Sequence, residues 1–307
     1  MNRRNFLTTS ALSVSAVAMN HSWAVGPAKP MKKAIQLVSI LPSCKKDLSA
    51  TIKALAVMGY QGVEVANRFG GMFGQTPSEF RKMLEANGLV CTGATVSVAD
   101  LEGDNLKKTA DMFAKVGGRF INQAELIVDK TELKSRDAWM RAAEKYNGIA
   151  EQLASFNLQI GVHNHTEEFQ KTETGQSGWE IFFSNTSSKV VHELDICHCI
   201  EGGGDPAALI NQFGWRTKII HIKEYPRNQV ESFPGAIPDP IGAGKFAVPF
   251  GKGKAHWPEI FKACKTNGGT EWLVAEYYMG NKPEDAGNDL VVARQMIDFL
   301  NYPIGEQ

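Results

Sequence analysis

Short runs of apolar, β-branched residues alternate with longer segments of helical periodicity from Lys33 to the end of the chain. The short runs have the length and the Val and Ile content of buried strands, whereas the longer segments repeat apolar positions with a period of about 3.6 residues. Eight strands are predicted at 34–40, 62–66, 90–97, 119–124, 159–165, 190–199, 218–225 and 271–278. Helices are predicted at 47–59, 76–88, 100–117, 137–156, 178–186, from 205 onward, 257–267 and 283–300.

Two of the predicted helices begin with clear capping signals. Thr76 is followed by Pro77 and Glu79, which is the pattern of an N-cap residue, a proline in the first turn and a capping box. Asp205 followed by Pro206 repeats the N-cap and proline arrangement. These signals separate helix from strand at points where hydrophobicity alone would not.

The alternation predicts an α/β protein with a single domain, a (β/α)8 TIM barrel over residues 33–303. A doubly wound parallel sheet alternates in a similar way and is the competing fold. That fold usually carries a glycine-rich phosphate loop after a strand, but no GxGxxG or GxxxxGK(S/T) string follows any of the predicted strands. The barrel is therefore the preferred prediction.

The amino-terminal segment has the organisation of an export signal. Arg3 and Arg4 precede a weakly apolar run that ends near Met19, and a small-x-small cleavage pattern ends at Ala24. The Arg-Arg-Asn-Phe-Leu string resembles a twin-arginine signal, and an ordinary secretory signal with a charged start is the alternative. We expect a signal peptide at 1–24, a linker at 25–32 and export to the periplasm.

The same segment bears on membrane attachment and on cofactors. The apolar run is too short and too rich in Ser and Thr for a stable membrane anchor, and no Cys follows it, which argues against a lipoprotein. The twin-arginine route carries folded proteins, often with a cofactor already inserted. The resemblance to this signal therefore favours a bound metal or organic cofactor.

Composition and charge exclude several classes of protein. The chain has 307 residues, 43% hydrophobic and 21% charged, which is typical of a globular protein and not of a disordered one. Lys plus Arg and Asp plus Glu each total 33; removing Arg3 and Arg4 leaves 31 basic and 33 acidic residues, a net charge of −2. Without a basic surface, a nucleic acid partner is not expected.

The five cysteines form neither an even set nor a CxxC pair. Cys197 and Cys199 alternate on the predicted sixth strand. We interpret all five, Cys44, Cys91, Cys197, Cys199 and Cys264, as small buried residues rather than as disulfides or a zinc knuckle.

Polar side chains collect at the carboxyl ends of the predicted strands, where catalytic groups lie in a TIM barrel. Side chains two residues apart on a strand share a face, so those of strands five, six and seven can all point into the mouth. The residues are Glu64 on strand two, His163 and His165 on strand five, Glu193 and Asp195 on strand six, His221 and Lys223 on strand seven, and Glu276 on strand eight. His198 has the opposite parity on strand six, so it must lie beyond the regular strand to reach the site.

This combination of imidazoles and carboxylates is characteristic of a metal site. Buried carboxylates cost several kcal/mol unless they are paired or bound to a metal. Four histidines and carboxylates from three strands suit one divalent transition metal such as Mn²⁺, Zn²⁺, Co²⁺ or Fe²⁺. A structural network of His and acidic residues without a metal is the alternative.

Taken in chain order, these strings resemble the sugar phosphate isomerase/epimerase superfamily. Its xylose isomerase-like TIM barrels include tagatose- and psicose-type 3-epimerases, inosose dehydratase and endonuclease IV. The matching strings are Gly62-Val63-Glu64, His163-Asn164-His165-Thr166-Glu167-Glu168-Phe169, Leu194-Asp195-Ile196-Cys197-His198, Gly204-Asp205-Pro206, His221-Ile222-Lys223-Glu224, Phe250-Gly251-Lys252-Gly253 and Ala275-Glu276. Each string is weak by itself, and the ordered set indicates the superfamily but no particular substrate.

The resemblance implies one divalent metal held by a strand-five Glu, the Asp of an Asp-x-x-His string, a strand-seven His and a strand-eight Glu. Asp195, His221 and Glu276 match directly, and His198 matches a histidine that contacts the substrate or supports the ligands. His163 stands where the family has its strand-five Glu, as it does in a branch with a similar His-Asn-His-x-x-Glu-Phe string. A scheme with two proton-transferring glutamates therefore does not carry over unchanged.

The implied activity is that of an isomerase or epimerase that transfers a proton next to the carbonyl of an unphosphorylated sugar or polyol derivative. Glu276 is the expected base, and His163 is the fourth metal ligand or an acid/base partner. Lys223 is expected to neutralise the enediolate; an ion pair of this lysine with Glu193 or Glu64 is the structural alternative.

The remaining expectations concern the substrate and its surroundings. Glu64, His165 and His198 are expected to bind a small-molecule sugar. The expected export argues against a phosphorylated sugar, because sugar phosphates are mostly cytoplasmic. The long loop at 226–255 is expected to cover the mouth, and a homo-oligomer is compatible with the dimers and tetramers common among relatives.

Three alternatives stay open. The same groups would serve β-elimination, as in a dehydratase or a lyase that acts on a keto-glycoside, because the outcome depends on where the leaving group lies. A hydrolase of the endonuclease IV type needs three zinc ions and further ligands, and the net charge disfavours DNA. A non-catalytic sugar-binding barrel would keep aromatic residues at the mouth and lose metal ligands.

Overall fold

The computed structural model describes residues 30–67, 71–224, 251, 253–267, 269–277 and 286–301. Over these ranges the chain forms one closed barrel of eight parallel strands, in which each strand pairs with its neighbours in the chain and the last pairs with the first. The strands are β1 Lys32–Gln36, β2 Gly62–Ala66, β3 Val90–Val96, β4 Phe120–Gln123, β5 Gln159–His163, β6 Val190–Asp195, β7 Thr217–Ile222 and β8 Trp272–Ala275. The predicted single-domain TIM barrel is confirmed.

Helices surround this barrel in the described part of the chain. They are α1 Leu41–Lys46, α2 Leu48–Met58, α3 Pro77–Ala86, α4 Asp104–Val116, α5 Arg136–Ala154, α6 Gly178–Ser184, α7 Ile196–Glu201, α8 Pro206–Gln212, α9 Trp257–Asn267 and α10 Asn288–Asn301. Both predicted caps are confirmed: the Thr76 capping box is complete, and Asp205 accepts a hydrogen bond from Ala208 N. Among the described helices, none is both long enough and apolar enough to cross a membrane.

Several predicted strands are too long at their carboxyl ends: β5, β7 and β8 end at His163, Ile222 and Ala275, two or three residues before the predicted ends, and in two other strands the end is helical. Residues Leu37–Ile40 form a 3-10 turn rather than the end of β1, and Ile196–Glu201 form α7 rather than the end of β6. Cys197 and Cys199 therefore lie on a helix, although all five cysteines are free and buried as predicted. Both segments are short apolar runs whose hydrophobicity is the same in either conformation, so periodicity could not separate them.

The barrel interior changes character from one end to the other. Towards the amino-terminal ends of the strands, six buried side chains form a separate apolar cluster: Ala34, Phe120, Val191, Ile219, Trp272 and Val274. Two residues further along the same inward faces, Gln36, Asn122, Glu193 and His221 are buried and polar. This apolar floor supports a polar layer that faces the carboxyl ends of the strands.

Some predictions lie outside the described residues. They are the signal peptide at 1–24, the first part of the linker at 25–32, and most of the loop at 226–255. The buried carboxylate of Glu224, just before that loop, accepts hydrogen bonds from Gly251 N and Ala255 N in its last part and from Trp257 Nε1. Glu224 thus ties the chain that leads into α9 to the end of β7.

Candidate metal and catalytic site

Four of the predicted site residues meet at the carboxyl ends of neighbouring strands. His163 and Asp195 are the last residues of β5 and β6, His221 is on β7, and Glu276 follows β8 directly. One ligand atom from each of the four lies within 4.8 Å of the others. The barrel therefore brings together the set that the sequence predicted to hold a metal.

Asn164 links the ends of β5 and β6. Its Oδ1 accepts a hydrogen bond from Asp195 N at 2.9 Å, and its Nδ2 donates to Asp195 O at 3.1 Å. The side chain of Asp195 in turn caps α7, because Oδ1 accepts from His198 N at 2.7 Å. Asn164 is absent from the predicted site, and the signal for it is its place between two candidate histidines.

The other oxygen of Asp195 is the clearest sign that a cation fits here. Asp195 has no exposed surface, and its Oδ2 has no hydrogen-bond partner within the described structure. A buried carboxylate oxygen without a donor is costly unless positive charge lies beside it, and the ammonium of Lys223, 3.9 Å away, is beyond hydrogen-bond distance. Two imidazoles and two carboxylates form a donor set suited to a transition metal, so the residues present fit a divalent ion.

Glu276 stands between a histidine and a lysine. Its Oε2 lies 2.7 Å from His221 Nδ1, and its Oε1 lies 3.4 Å from Lys223 Nζ. Although burial acts in the opposite direction, Lys223 and His221 hold the pKa of Glu276 well below its ordinary range. Glu276 is therefore an ionised carboxylate, the form that a metal ligand or a general base requires.

Lys223 belongs to the same group of charges. Its Nζ is 3.9 Å from Asp195 Oδ2 and 3.3 Å from His198 Nε2. Burial lowers its pKa, but the carboxylates of Glu276 and Asp195 outweigh burial and raise it. Its ion partners among the described residues are these two acids, rather than Glu193 or Glu64.

Two histidines, His163 at the end of β5 and His165 just after it, have lowered pKa values. Burial, followed by the neighbouring His221, lowers the pKa of His163 well below its ordinary value; burial and then His198 lower the pKa of His165. His198 lies on α7, beyond the regular strand as predicted, and its ring centroid is 4.9 Å from that of His165. His165 and His198 thus form one wall beside the four candidate ligands.

Glu64 lies deeper than the other predicted site residues. It has no exposed surface, its Oε1 accepts from Gln36 Nε2 at 2.8 Å, and the same oxygen is 3.2 Å from His221 Nε2. Its carboxylate therefore meets the buried edge of an imidazole, not the open side of the mouth. Glu193 lies at the same depth and forms with Glu64 and His221 a second group whose ligand atoms lie within 4.8 Å.

Residues 52–301 match the family described as xylose isomerase-like TIM barrel. An inosose dehydratase of Klebsiella pneumoniae subsp. pneumoniae is 26% identical over 252 residues, covering 73% of this chain and 80% of the relative.

Two solved structures show the same fold. A sugar phosphate isomerase/epimerase from Parabacteroides distasonis superposes with a TM-score of 0.66 at 23% identity, over 91% of this chain and 98% of that one. A D-psicose 3-epimerase with D-tagatose from Clostridium cellulolyticum superposes with a TM-score of 0.64 at 18% identity, over 90% of this chain and 100% of that one.

Proposed function

Because the chain belongs to the xylose isomerase-like TIM barrel family, we propose that it is a metal-dependent enzyme that transfers a proton next to the carbonyl of an unphosphorylated sugar or polyol derivative. The observation that carries this proposal is the meeting of His163, Asp195, His221 and Glu276 at the barrel mouth, with Lys223 beside them. A divalent ion held by the four residues would act as a Lewis acid on the carbonyl and so acidify the neighbouring C–H bond.

Glu276 is the base in this proposal. Its low pKa keeps the carboxylate ionised, and only the ionised form can accept a proton. The same low pKa makes Glu276 a weak base before the substrate binds. Because Lys223 interacts with Oε1, a substrate oxygen that draws the ammonium away would strengthen that oxygen as a base. Lys223 would then stand beside the negative charge that develops on the substrate.

We assign substrate contacts to His165 and His198, which line the mouth. Each imidazole ring offers two nitrogens for hydrogen bonds with sugar hydroxyls. Glu64 was predicted to join them, but its burial under His221 supports a role in holding the imidazole instead. A non-catalytic sugar-binding barrel would not need buried acids around two histidines, so the observed cluster favours an enzyme.

A second candidate function is β-elimination from the same deprotonated substrate. An epimerase must deliver protons to both faces of one carbon, and a pair of carboxylates serves that purpose in the family pattern. Here His163 replaces the strand-five carboxylate, and an inosose dehydratase is among the relatives. Elimination needs one base and one acid for the leaving group, which Glu276 and Lys223 could provide.

We also propose that the enzyme works in the periplasm. The amino-terminal sequence supports this through its paired arginines and its cleavage pattern at Ala24. Detection of the mature chain in the periplasmic fraction, and its retention in the cytoplasm after replacement of Arg3 and Arg4 by lysine, would test the proposal.

The first test of the proposed function is metal content and proton exchange. The protein purified without chelator should hold about one equivalent of Mn²⁺, Zn²⁺, Co²⁺ or Fe²⁺, and His221→Ala should lose it. The loaded enzyme should then exchange a C–H proton of a suitable keto-sugar with D₂O, and Glu276→Gln should stop the exchange. An epimeric product would identify an epimerase, an unsaturated ketone a lyase; no uptake of added metal would refute the metal-dependent mechanism.

A further inference from the structure

One carboxylate oxygen lies between the two imidazoles of the candidate metal site. Glu193 Oε1 is 3.1 Å from His163 Nδ1 and 3.3 Å from His221 Nε2, and the two rings are 4.6 Å apart between centroids. The opposite ring nitrogen of His221, Nδ1, faces Glu276. Glu193 therefore touches these histidines on the side away from the mouth.

The surroundings of Glu193 hold it in this position. It has no exposed surface, and its Oε2 accepts a hydrogen bond from Asn122 Nδ2 on β4. Asn122 pairs across the sheet with Gly161, where an added Cβ would overlap Asn122 Oδ1. The glycine on β5 thus makes room for the amide that orients the carboxylate.

Glu64 assists at only one of the two rings. Its Oε1 lies 3.2 Å from His221 Nε2 and is fixed by Gln36 Nε2. The 3.1 Å contact of Glu193 with His163 Nδ1 is a hydrogen bond, whereas His221 Nε2 lies 3.2 Å from Glu64 and 3.3 Å from Glu193 without hydrogen-bond geometry. Because Glu193 is already hydrogen-bonded to His163 and Asn122, the deeper group is better explained as support for the histidines than as a second metal site.

We propose that Glu193 is a positioning residue: it fixes the orientation and tautomer of His163 through a hydrogen bond and places negative charge behind His221. In this arrangement His163 Nδ1–H donates to Glu193 Oε1, which leaves His163 Nε2 for the metal, while the same oxygen lies 3.3 Å from His221 Nε2 and leaves Nδ1 on the side of Glu276. A carboxylate behind a ligating imidazole also makes that ring a stronger donor. The inference rests on the proposed function, because it concerns ligands of the proposed ion.

The test is the binding of Zn²⁺ and Co²⁺ to the apoprotein, measured by titration calorimetry and by the visible absorption of bound Co²⁺. Glu193→Gln keeps the shape of the side chain and removes its charge, and should weaken binding by about 10- to 100-fold and shift the Co²⁺ spectrum. Asn122→Ala, which only frees Glu193 Oε2, should act in the same direction with a smaller effect.

A matched control separates this effect from a general loss of stability. Asp289→Asn alters another fully buried carboxylate, on α10, whose described partners are Ser43, Gly287 and Leu290. It should lower the unfolding temperature yet bind Co²⁺ with the wild-type affinity and spectrum. Circular dichroism at the titration temperature would confirm that each variant is folded.

Two results would overturn the inference while the proposed function survives. One is wild-type affinity and an unchanged Co²⁺ spectrum in Glu193→Gln. The other is a second bound ion in the wild type that this variant loses, which would make Glu193 a ligand. If the wild type binds neither Zn²⁺ nor Co²⁺, the proposed function and the inference fail together.

Discussion

At the scale of single residues, the contact with Glu193 accounts for the presence of a histidine at position 163. The family pattern has a carboxylate on strand five, but here His163 Nδ1 lies 3.1 Å from Glu193 Oε1, and both side chains are buried. A glutamate at position 163 would place two carboxylates side by side in a buried layer that already holds Glu64. Histidine at position 163 is therefore compatible with a buried Glu193, because its ring can donate a hydrogen bond to the carboxylate.

This pairing predicts the outcome of restoring the family residue. His163→Glu alone should lower the free energy of unfolding by about 3 kcal/mol, because breaking a buried pair leaves an uncompensated charge. Adding Glu193→Gln should recover most of that loss, since the amide can donate to the new carboxylate. Urea unfolding of the wild type, both single variants and the double variant measures the coupling; additive losses would show that the residues are independent.

Glu168, in the string that follows β5, gives a prediction about pH. Its side chain is almost fully buried, Oε2 accepts from His165 N, and Oε1 has no partner among the described residues. Burial raises its pKa from 4.5 to about 7. Because the folded protein holds this proton more tightly than the unfolded chain, its contribution to stability is complete below pH 4.5 and is lost as the pH rises to 7.

Glu168→Gln should remove that dependence, because the amide resembles the protonated carboxyl. The wild type should lose about 3 kcal/mol relative to the variant between pH 4.5 and 7. Urea unfolding of both proteins across this range measures the difference, in which the titration of other groups cancels. A difference that stays constant with pH would contradict the prediction.

At the scale of elements, the junction of β6 and α7 combines a structural and a chemical role in one side chain. Asp195 Oδ1 caps α7 through His198 N, while Oδ2 is left towards the candidate ligands. Asn is as good an N-cap as Asp, so Asp195→Asn should keep stability within about 1 kcal/mol while it weakens metal binding at least tenfold. Asp195→Ala should lose both; the two properties are read from urea unfolding and from Zn²⁺ titration.

A second junction joins α10 to the start of the barrel. Asp289 Oδ2 accepts from Ser43 N on α1, and Oδ1 accepts from Gly287 N and Leu290 N. Asp289→Ala leaves these buried donors unsatisfied and should cost about 3 kcal/mol. Asp298→Ala on the same helix removes an exposed acid 3.9 Å from Arg294 and should change stability by less than about 0.5 kcal/mol. Equal losses in the two variants, measured by urea unfolding, would refute this role.

At the scale of the whole molecule, the barrel and the four candidate ligands follow from patterns that a sequence carries. Eight apolar runs with helices between them define the barrel, and strand alternation places Asp195 and His221 on inward faces. The 3-10 turn at Leu37–Ile40 escaped prediction because a side-chain bond decides it: Gln36 Oε1 accepts from Val38 N. Asp195 likewise ends β6 by capping α7, and no hydrophobic pattern records such bonds.

The supporting residues of the site were harder to foresee for a related reason. Glu193 shares the inward parity of Asp195, so alternation could have placed it in the barrel, but parity does not give depth. Its partner Asn122 comes from β4, and Gln36, which donates to the neighbouring Glu64, comes from β1; both contacts join residues far apart in sequence. The depth of an inward polar residue depends on where its strand ends relative to the neighbouring strands. That stagger decides whether the residue faces the mouth or supports it from beneath.

Because the candidate ligands come from several strands, we expect a bound metal to stabilise the whole barrel. The four candidate ligands come from β5, β6, β7 and the residue after β8, so an ion bound there would join half of the barrel and would be released on unfolding. At a free Zn²⁺ concentration 100-fold above its Kd, the free energy of unfolding should rise by about 2.7 kcal/mol.

For a domain of this size that rise corresponds to an increase of roughly 5 °C in Tm. His221→Ala should show no increase, because it removes one ligand and the contact with Glu276. Asp298→Ala, which alters only the surface of α10, should respond like the wild type. Calorimetric scans of the three proteins with and without Zn²⁺ test the prediction, and an equal increase in His221→Ala would place the stabilising ion elsewhere.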